Sequence, residues 1–181
     1  MNLIPTSLPG AVVLESKVFS DSRGFFTESY NKQTLESVGI NIDFVQDNHS
    51  LSVPAGTVRG LHYQLAPMAQ TKLVRVLTGA IYDVIVDIRR DSETFGKWEG
   101  FILTADSHRQ LLVPQGFAHG FCTLVANTQV FYKVDNYYSA ENDRGIRWDD
   151  PELAIPWPTQ SPVLSDKDAK HPFFHDAEMN F

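Results

Sequence analysis

The sequence has a single cysteine, Cys122, in 181 residues. An internal disulfide is therefore excluded, and nothing points to an oxidising compartment. Set inside the apolar run Phe121-Cys122-Thr123-Leu124-Val125, the thiol reads as a small buried hydrophobe. Positive charge is also scarce. Fifteen Lys and Arg stand against 22 Asp and Glu, for a net charge of −7, which argues against the broad basic face of a nucleic-acid binder. A few placed cations can still form a local site for an anionic ligand. No apolar run approaches the roughly 18–20 residues that cross a bilayer. The opening MNLIPTSLPG lacks a basic segment and Pro breaks its apolar run, so neither a signal peptide nor a membrane anchor is expected, and the protein is expected to be cytoplasmic. Repeats of fixed period, low-complexity tracts and linkers are missing, which predicts one domain over residues 1–181. There is no Gly-rich phosphate loop and no nucleophile elbow.

Hydrophobic residues make up 43% and charged residues 20%, the balance of a globular chain with a real core. Residues 11–19 read as a strand. Asn31 opens a short helical stretch, NKQTLESVG, as N-cap, with Gly39 at the position just past its end. From Ile42 onward the punctuation is that of β structure: IDFVQDNHSL, TVRGLHYQL, TKLVRVL, AIYDVIVDI, WEGFIL, QLLVP, FAHGFCTLV and TQVFYKVDNYY, divided by Gly, Pro, Asn, Asp and Ser. Short strands at such spacing predict an all-β sandwich or barrel. After Asp149 proline recurs too often for regular elements. The Trp, Leu and Ile of that tail are costly in water, so it is expected to wrap the barrel in an ordered way.

Alternation along the strands predicts a site. Phe117, His119 and Phe121 share a face, as do Val130, Tyr132 and Val134, and Lys72 with Val74 and Val76. His62 is expected to share one with Val58 and Gln64. Each row holds one titratable group among mainly apolar side chains, so four polar side chains (His62, Lys72, His119 and Tyr132) are expected to enter one interior. They are tolerable there only if they line a wet or ligand-filled cavity. Arg59 has the opposite parity to His62; a bulge at Gly60 is the expected device that turns it inward.

Two imidazoles, an ammonium and a phenol suit proton transfer. A neutral His takes a proton from carbon, a Lys stabilises the enolate oxygen, and a Tyr returns the proton. A carboxylate is expected behind the base to fix its tautomer; the tail acids Asp166 and Asp168 are the candidates. An interior His is more often a satisfied core residue than a base, and a strand Tyr usually packs with its hydroxyl bonded. An inward Lys is rarer and carries more weight. By residue pattern, a proton-transfer enzyme and a small-molecule-binding barrel stand about level.

Pro114-Gln115-Gly116-Phe117-Ala118-His119 resembles the second half-motif of the cupin barrels, P-x-G-x-x-H. Metal cupins pair it with H-x-H and a Glu. Here the first strand offers His62-Tyr63-Gln64, and an amide is a poor transition-metal ligand. His62 and His119 do not make three ligands, so no catalytic metal is expected and a metal dioxygenase is disfavoured. His49, His108, His171 and His175 are expected in turns or the tail, with surface or capping roles.

Nearly the whole chain is similar to the dTDP-4-dehydrorhamnose 3,5-epimerases, cofactor-independent cupins of bacterial rhamnose synthesis. The markers are DSRGFFTE (21–28), VQDNHS (45–50), VRGLHYQ (58–64), AQTKLVRV (69–76), VDIRRDSETFGKW (86–98), VPQGFAHGF (113–121), RGIRWDDP (144–151) and LSDKD (164–168). Each is weak alone; in this order together they are specific. The resemblance implies a cupin-type jelly-roll barrel with a short N-terminal helix, acting on a dTDP-sugar without a cofactor. It implies that His62 is the base at C3 and C5 of the 4-keto sugar, Asp168 its carboxylate partner, Lys72 the enolate stabiliser and Tyr132 the acid on the other face. A cation such as Lys72 favours the phenolate of Tyr132 and desolvation opposes it. Arg23, Arg59 and His119 look like the groups that hold pyrophosphate and sugar; the Arg fork suits phosphate. Glu28, Gln46 and Asn48 resemble nucleotide contacts, and Tyr138 and Lys167 further substrate contacts. The resemblance also implies a homodimer with N-terminal strand exchange, in which Arg23 and Glu28 serve the neighbour's site and a sheet edge is covered. One departure stands at Asp143, where the family usually has Glu; the shorter side chain is expected to reach its contact through a water. Two further readings remain at this level: an enzyme that inverts only C5 or only C3, and a non-catalytic sugar-nucleotide binder.

Overall fold

The strand-like runs form two antiparallel sheets stacked face to face in a computed structural model that describes residues 1–181. The strands are β1 (Asn2–Pro5), β2 (Val12–Glu15), β3 (Val18–Asp21), β4 (Gly24–Thr27), β5 (Gln46–Ser52), β6 (Val58–Gln64), β7 (Lys72–Thr78), β8 (Ala80–Asp87), β9 (Trp98–Thr104), β10 (Arg109–Val113), β11 (Phe117–Thr123), β12 (Thr128–Val134) and β13 (Asp143–Gly145). One sheet runs β1-β2-β10-β7-β12-β5 and the other β13-β6-β11-β8-β9. This is a jelly-roll barrel, as the cupin resemblance implies. The strand expected over residues 11–19 is instead two, because the chain leaves the large sheet after Glu15 and turns into the separate β3–β4 hairpin. The run at IDFVQDNHSL pairs only from Gln46.

Helix α1 (Lys32–Ser37) is one and a half turns long and depends on its ends. The Asn31 side chain accepts from Thr34 N at its start, and Gly39 (φ +87°) follows its end. Its Leu35 is buried with Leu14, Leu73 and Leu112 on the outer face of the six-stranded sheet.

The interior between the sheets contains Val74, Val76, Ile81, Ile85, Leu111, Val113, Phe117, Phe121 and Val130. The outer face of the five-stranded sheet is covered as well. There the tail residues Leu153, Ile155, Trp157, Phe174 and Met179 pack on Val58, Leu61, Tyr63, Val84 and Val86. This agrees with the expected ordered tail and explains why every residue of β11 is buried. Asp150 pins the tail by accepting from the amides of Glu152 (2.9 Å), Leu153 (2.8 Å) and Phe174 (2.7 Å). Trp157 Nε1 donates to Trp148 O and Trp98 Nε1 to Leu153 O, each at 2.7 Å. Indole N–H groups buried with that much apolar surface need such acceptors. No helix is long and apolar enough to cross a membrane.

Val58 corrects one expectation. It packs outward with Leu61 and Tyr63, not inward with His62. The β6–β11 register is the reason: His62 stands opposite His119, but Arg59, not Gly60, stands opposite Phe121. One extra β6 residue sits between those pairs, so parity inverts across Gly60.

Candidate active site

The barrel interior opens into a cavity lined by Arg59 and His62 from β6, Lys72 from β7, His119 and Phe121 from β11, Tyr132 from β12, Ser50 from β5, and Ser165, Lys167 and Asp168 from the tail. A neighbouring cavity shares His62, Lys72, Tyr132 and Lys167 and adds Gln64, Gln70, Tyr138 and Asp143. The four polar side chains singled out by alternation thus meet, and the bulge at Gly60 delivers Arg59 beside them. Gly60 has φ +112°, and a Cβ there would lie 2.7 Å from both Gly120 Cα and His119 O. Only glycine permits that backbone conformation and that approach.

His62 Nε2 lies 2.5 Å from Asp168 Oδ1, across 106 positions of sequence. Asp168, rather than Asp166, is the tail acid that reaches it. Asp168 sits in a 3-10 turn, Asp168–Lys170, and is 4% exposed. Ser165 fixes it twice: its hydroxyl donates to Oδ2 at 2.8 Å and accepts from Asp168 N at 3.1 Å. Burial opposes ionisation of Asp168, but the His171 and His62 imidazoles and the Ser165 hydroxyl outweigh it, so the carboxyl stays well below the usual range. Burial pushes the His62 pKa down, with Lys72 and His171 adding to that and Asp168 opposing it. The imidazole is therefore neutral near pH 7. Its Nε2–H donates to Asp168, its Nδ1 has no protein partner, and its side chain is 33% exposed. These are the properties of an accessible base.

Lys72 is 9% exposed, and its Nζ donates to His62 O at 3.3 Å. Burial lowers its pKa to about 8, against the pull of Asp143 and Asp83. Tyr132 stands opposite Asn48 and Val74. Burial raises its pKa; the nearby cation that favours phenolate is Arg59, not Lys72 as expected, and desolvation prevails. The phenol is thus protonated and able to donate.

Arg59 is aimed by two bonds, Nε to Ser52 Oγ at 3.1 Å and Nη2 to Leu51 O at 3.2 Å. His119 Nε2 lies 2.5 Å from Asp83 Oδ1, and Asp83 Oδ2 is buried without a partner. Asp83 was missed from the sequence although it interrupts the inward row Ile81, Asp83, Ile85, the same signal that exposed Lys72. Gln46 and Asn48 are half-buried on the face of β5 that carries Ser50, joined by Gln46 Nε2 to Asn48 Oδ1 at 2.9 Å. Asp143 Oδ2 accepts from Tyr138 OH at 3.0 Å and pairs with Lys167. Gln64 is fully engaged by backbone, Nε2 to Met68 O (2.6 Å) and Tyr137 O (3.1 Å), Oε1 from Ser139 N (2.7 Å).

Two expected contacts are not in this cavity. Arg23 is on the tip of the β3–β4 hairpin, 88% exposed and paired with Asp21 at 2.6 Å, and Glu28 accepts from Asn31. Two histidine expectations need correction. His49 is on β5, not in a turn, bonded to Gln129 at 3.0 Å. His171 is no surface residue: its side chain is 9% exposed, and its ring sits edge-on to His62 with centroids 5.4 Å apart. The three-residue step from Asp168, one turn of a 3-10 helix, was the signal available in the sequence.

Fold and site together define a cupin-type jelly-roll protein with a His–Asp pair, a lysine and a tyrosine inside its barrel. The chain belongs to the dTDP-4-dehydrorhamnose 3,5-epimerase family, whose model matches residues 5–176. It is 52% identical over 179 residues to a dTDP-4-dehydrorhamnose 3,5-epimerase of Shigella flexneri, covering 98% of both chains. A crystal structure of dTDP-4-dehydrorhamnose 3,5-epimerase from Bacillus anthracis, with TDP and PPi bound, superposes with a TM-score of 0.94 at 63% identity, covering 95% of this chain and 98% of that one. One of dTDP-6-deoxy-D-glucose-3,5-epimerase from Legionella pneumophila, in complex with dTDP-4-keto-L-rhamnose, gives a TM-score of 0.92 at 45% identity over 96% of this chain and 93% of that one.

Proposed function

We propose that this chain epimerises dTDP-4-dehydro-6-deoxy-D-glucose at C3 and C5, giving dTDP-4-dehydro-L-rhamnose for dTDP-L-rhamnose synthesis. The full-length family match supports the activity. The observation that carries the chemistry is the neutral His62, 2.5 Å from an ionised Asp168, in one cavity with Lys72 and Tyr132.

In this reading His62 Nδ1 takes the proton from the carbon next to the C4 ketone. The C–H electron pair moves into the ring and becomes charge on O4. Asp168 holds the tautomer and stabilises the imidazolium. The Lys72 ammonium stabilises the enolate oxygen, with a larger effect in a dry site than in water. Tyr132 donates its proton from the opposite face, so the carbon is inverted, and the protons on His62 and Tyr132 then re-equilibrate with solvent. The same base and acid treat both carbons, because both flank one ketone. Arg59 and His119 hold the pyrophosphate and sugar. Gln46, Asn48, Tyr138 and Lys167 complete the nucleotide and sugar contacts, with Asp143 fixing the last two.

Residues 1–181 act as one epimerase unit. The protein works as a cytoplasmic homodimer whose β3–β4 hairpin carries Arg23 and Glu28 to the partner's site. Phe19, Phe25 and Phe26 on that hairpin are 52%, 60% and 66% exposed, an apolar cluster that favours a protein neighbour over water.

The test is incubation with dTDP-4-dehydro-6-deoxy-D-glucose in deuterated water, read by NMR. Deuterium is expected at both C3 and C5, and none with His62→Ala. Label at one carbon would mark a single-site epimerase, and no label a sugar-nucleotide binder.

A further inference from the structure

His171 is the part of the site that the proposed reaction leaves without a task. Its imidazole is 91% buried, yet Nε2 has no hydrogen-bond partner. That nitrogen lies 3.7 Å from Asp168 Oδ1, the same oxygen that takes His62. The ring reaches this place because residue 145 is glycine: a Cβ there would be 2.4 Å from His171 Nε2. A buried ring nitrogen without a partner is unfavourable, and here it is aimed at a carboxylate and a second imidazole. Ligand atoms of His62, Asp168 and His171 all lie within 4.8 Å of one another.

We propose that these three residues form an inhibitory site for a divalent transition cation of the zinc type. Two imidazoles and one carboxylate select such an ion over Mg²⁺ or Ca²⁺, which prefer oxygen ligands. Zinc bonds of about 2.0–2.2 Å place tetrahedral ligand atoms roughly 3.3–3.5 Å apart. The His62–Asp168 contact at 2.5 Å opens by less than an ångström to accept it, and the His171–Asp168 separation at 3.7 Å closes slightly. A water in the cavity completes the tetrahedron.

The consequence for the base follows from its tautomer. Bound metal takes the Nε2 lone pair of His62, so the ring's proton moves to Nδ1 and Asp168 coordinates directly. An imidazole with Nε2 metallated and Nδ1 protonated has no lone pair left to accept a proton from carbon. Binding and base catalysis are mutually exclusive, and a chelator reverses the block. This consequence rests on the function proposed above; the binding does not.

The test uses the full-length protein stripped with a chelator, without substrate. ZnCl₂ is titrated by calorimetry and CoCl₂ by visible absorption, with MgCl₂ as a control. One equivalent per chain is expected, in the micromolar range or tighter, with the intense bands of four-coordinate Co²⁺. His171→Phe keeps the ring and removes the nitrogens; His62→Asn, at a partly exposed position, tests the same site should His171→Phe not fold. Each is expected to weaken binding by about 100-fold or more, since even an outer-shell partner contributes up to that much. Absence of binding, or binding unchanged in the variant that folds, overturns the proposal and puts any metal on surface histidines such as His49 and His175. Deuterium exchange into the sugar is then measured with and without Zn²⁺. Exchange that persists in the Zn²⁺-loaded protein overturns the inhibitory role, whereas no exchange under any condition counts against the proposed reaction and leaves the calorimetric result standing.

Discussion

Arg59 and His62 point into the same cavity although they are three positions apart on one strand. Regular alternation puts such residues on opposite faces. The β6–β11 pairing absorbs one extra residue between them, at Gly60, where backbone approaches backbone at a distance no Cβ tolerates.

Gly60→Ala is therefore expected to damage both stability and activity. The added methyl meets Gly120 Cα and His119 O, and the φ of +112° is strained for any other residue. A loss of at least about 2 kcal/mol is expected in urea unfolding, with turnover reduced further because Arg59 and His62 lose their common face. A variant as stable and active as the parent would show that the bulge does not set the site.

The pH profile of kcat/KM is expected to be bell-shaped. Burial holds His62 below its ordinary 6.5, so the imidazole remains neutral until the pH falls below that value. The acid limb is expected below 6.5. Lys72 loses its proton near pH 8, and with it the charge proposed to face the enolate, which puts the alkaline limb near there. An acid limb above 6.5 would count against His62 as the base.

Lys72→Met is expected to stabilise the protein while abolishing turnover. The folded-state pKa of about 8 lies below the ordinary 10.5. Between those values the unfolded chain holds a proton that the folded chain has released, so stability rises with pH across this window. Below pH 8 the full penalty applies, on the order of 3 kcal/mol. The variant should exceed the parent by up to that amount at pH 7, with the difference shrinking toward pH 10.5. Denaturant melts at pH 7 and pH 10 check this.

Tyr132→Phe removes the proposed acid and leaves the proposed base. The first proton should still leave carbon, so exchange from the His62 side continues while inversion slows by about 10²–10⁴-fold, the range for loss of one positioned acid. Comparing solvent-isotope wash-in with product formation separates the two. Equal loss of both would refute its assignment as the acid.

Cys122 is expected to resist alkylation in the native state. Burial pushes its thiol up to about 11 and its side chain is covered by the tail. Reaction with a thiol reagent at pH 8 should follow unfolding, and fast labelling of the native protein would mean that the tail does not stay packed.

Much of the site could be read from local pattern. The rows holding Lys72, His119 and Tyr132 face inward as alternation predicts, and Asn31 and Gly39 bound the helix, because period and capping depend only on near neighbours in the chain. Asp83 was equally readable by that rule. The ordered tail followed from composition, since its aromatics had to be covered by something.

The sequence alone determined that this is a β-barrel with titratable groups in apolar rows, because each such row is written in consecutive residues. Long-range packing was needed to bring Asp168 rather than Asp166 to His62, to stand His171 beside them, and to turn Val58 away. Those outcomes depend on how a proline-rich tail lies across another sheet and on one residue of register at Gly60. Neither has a local period: the first is fixed by packing between His62 and Asp168, 106 positions apart, and the second by the pairing of Arg59 with Phe121 on a separate strand.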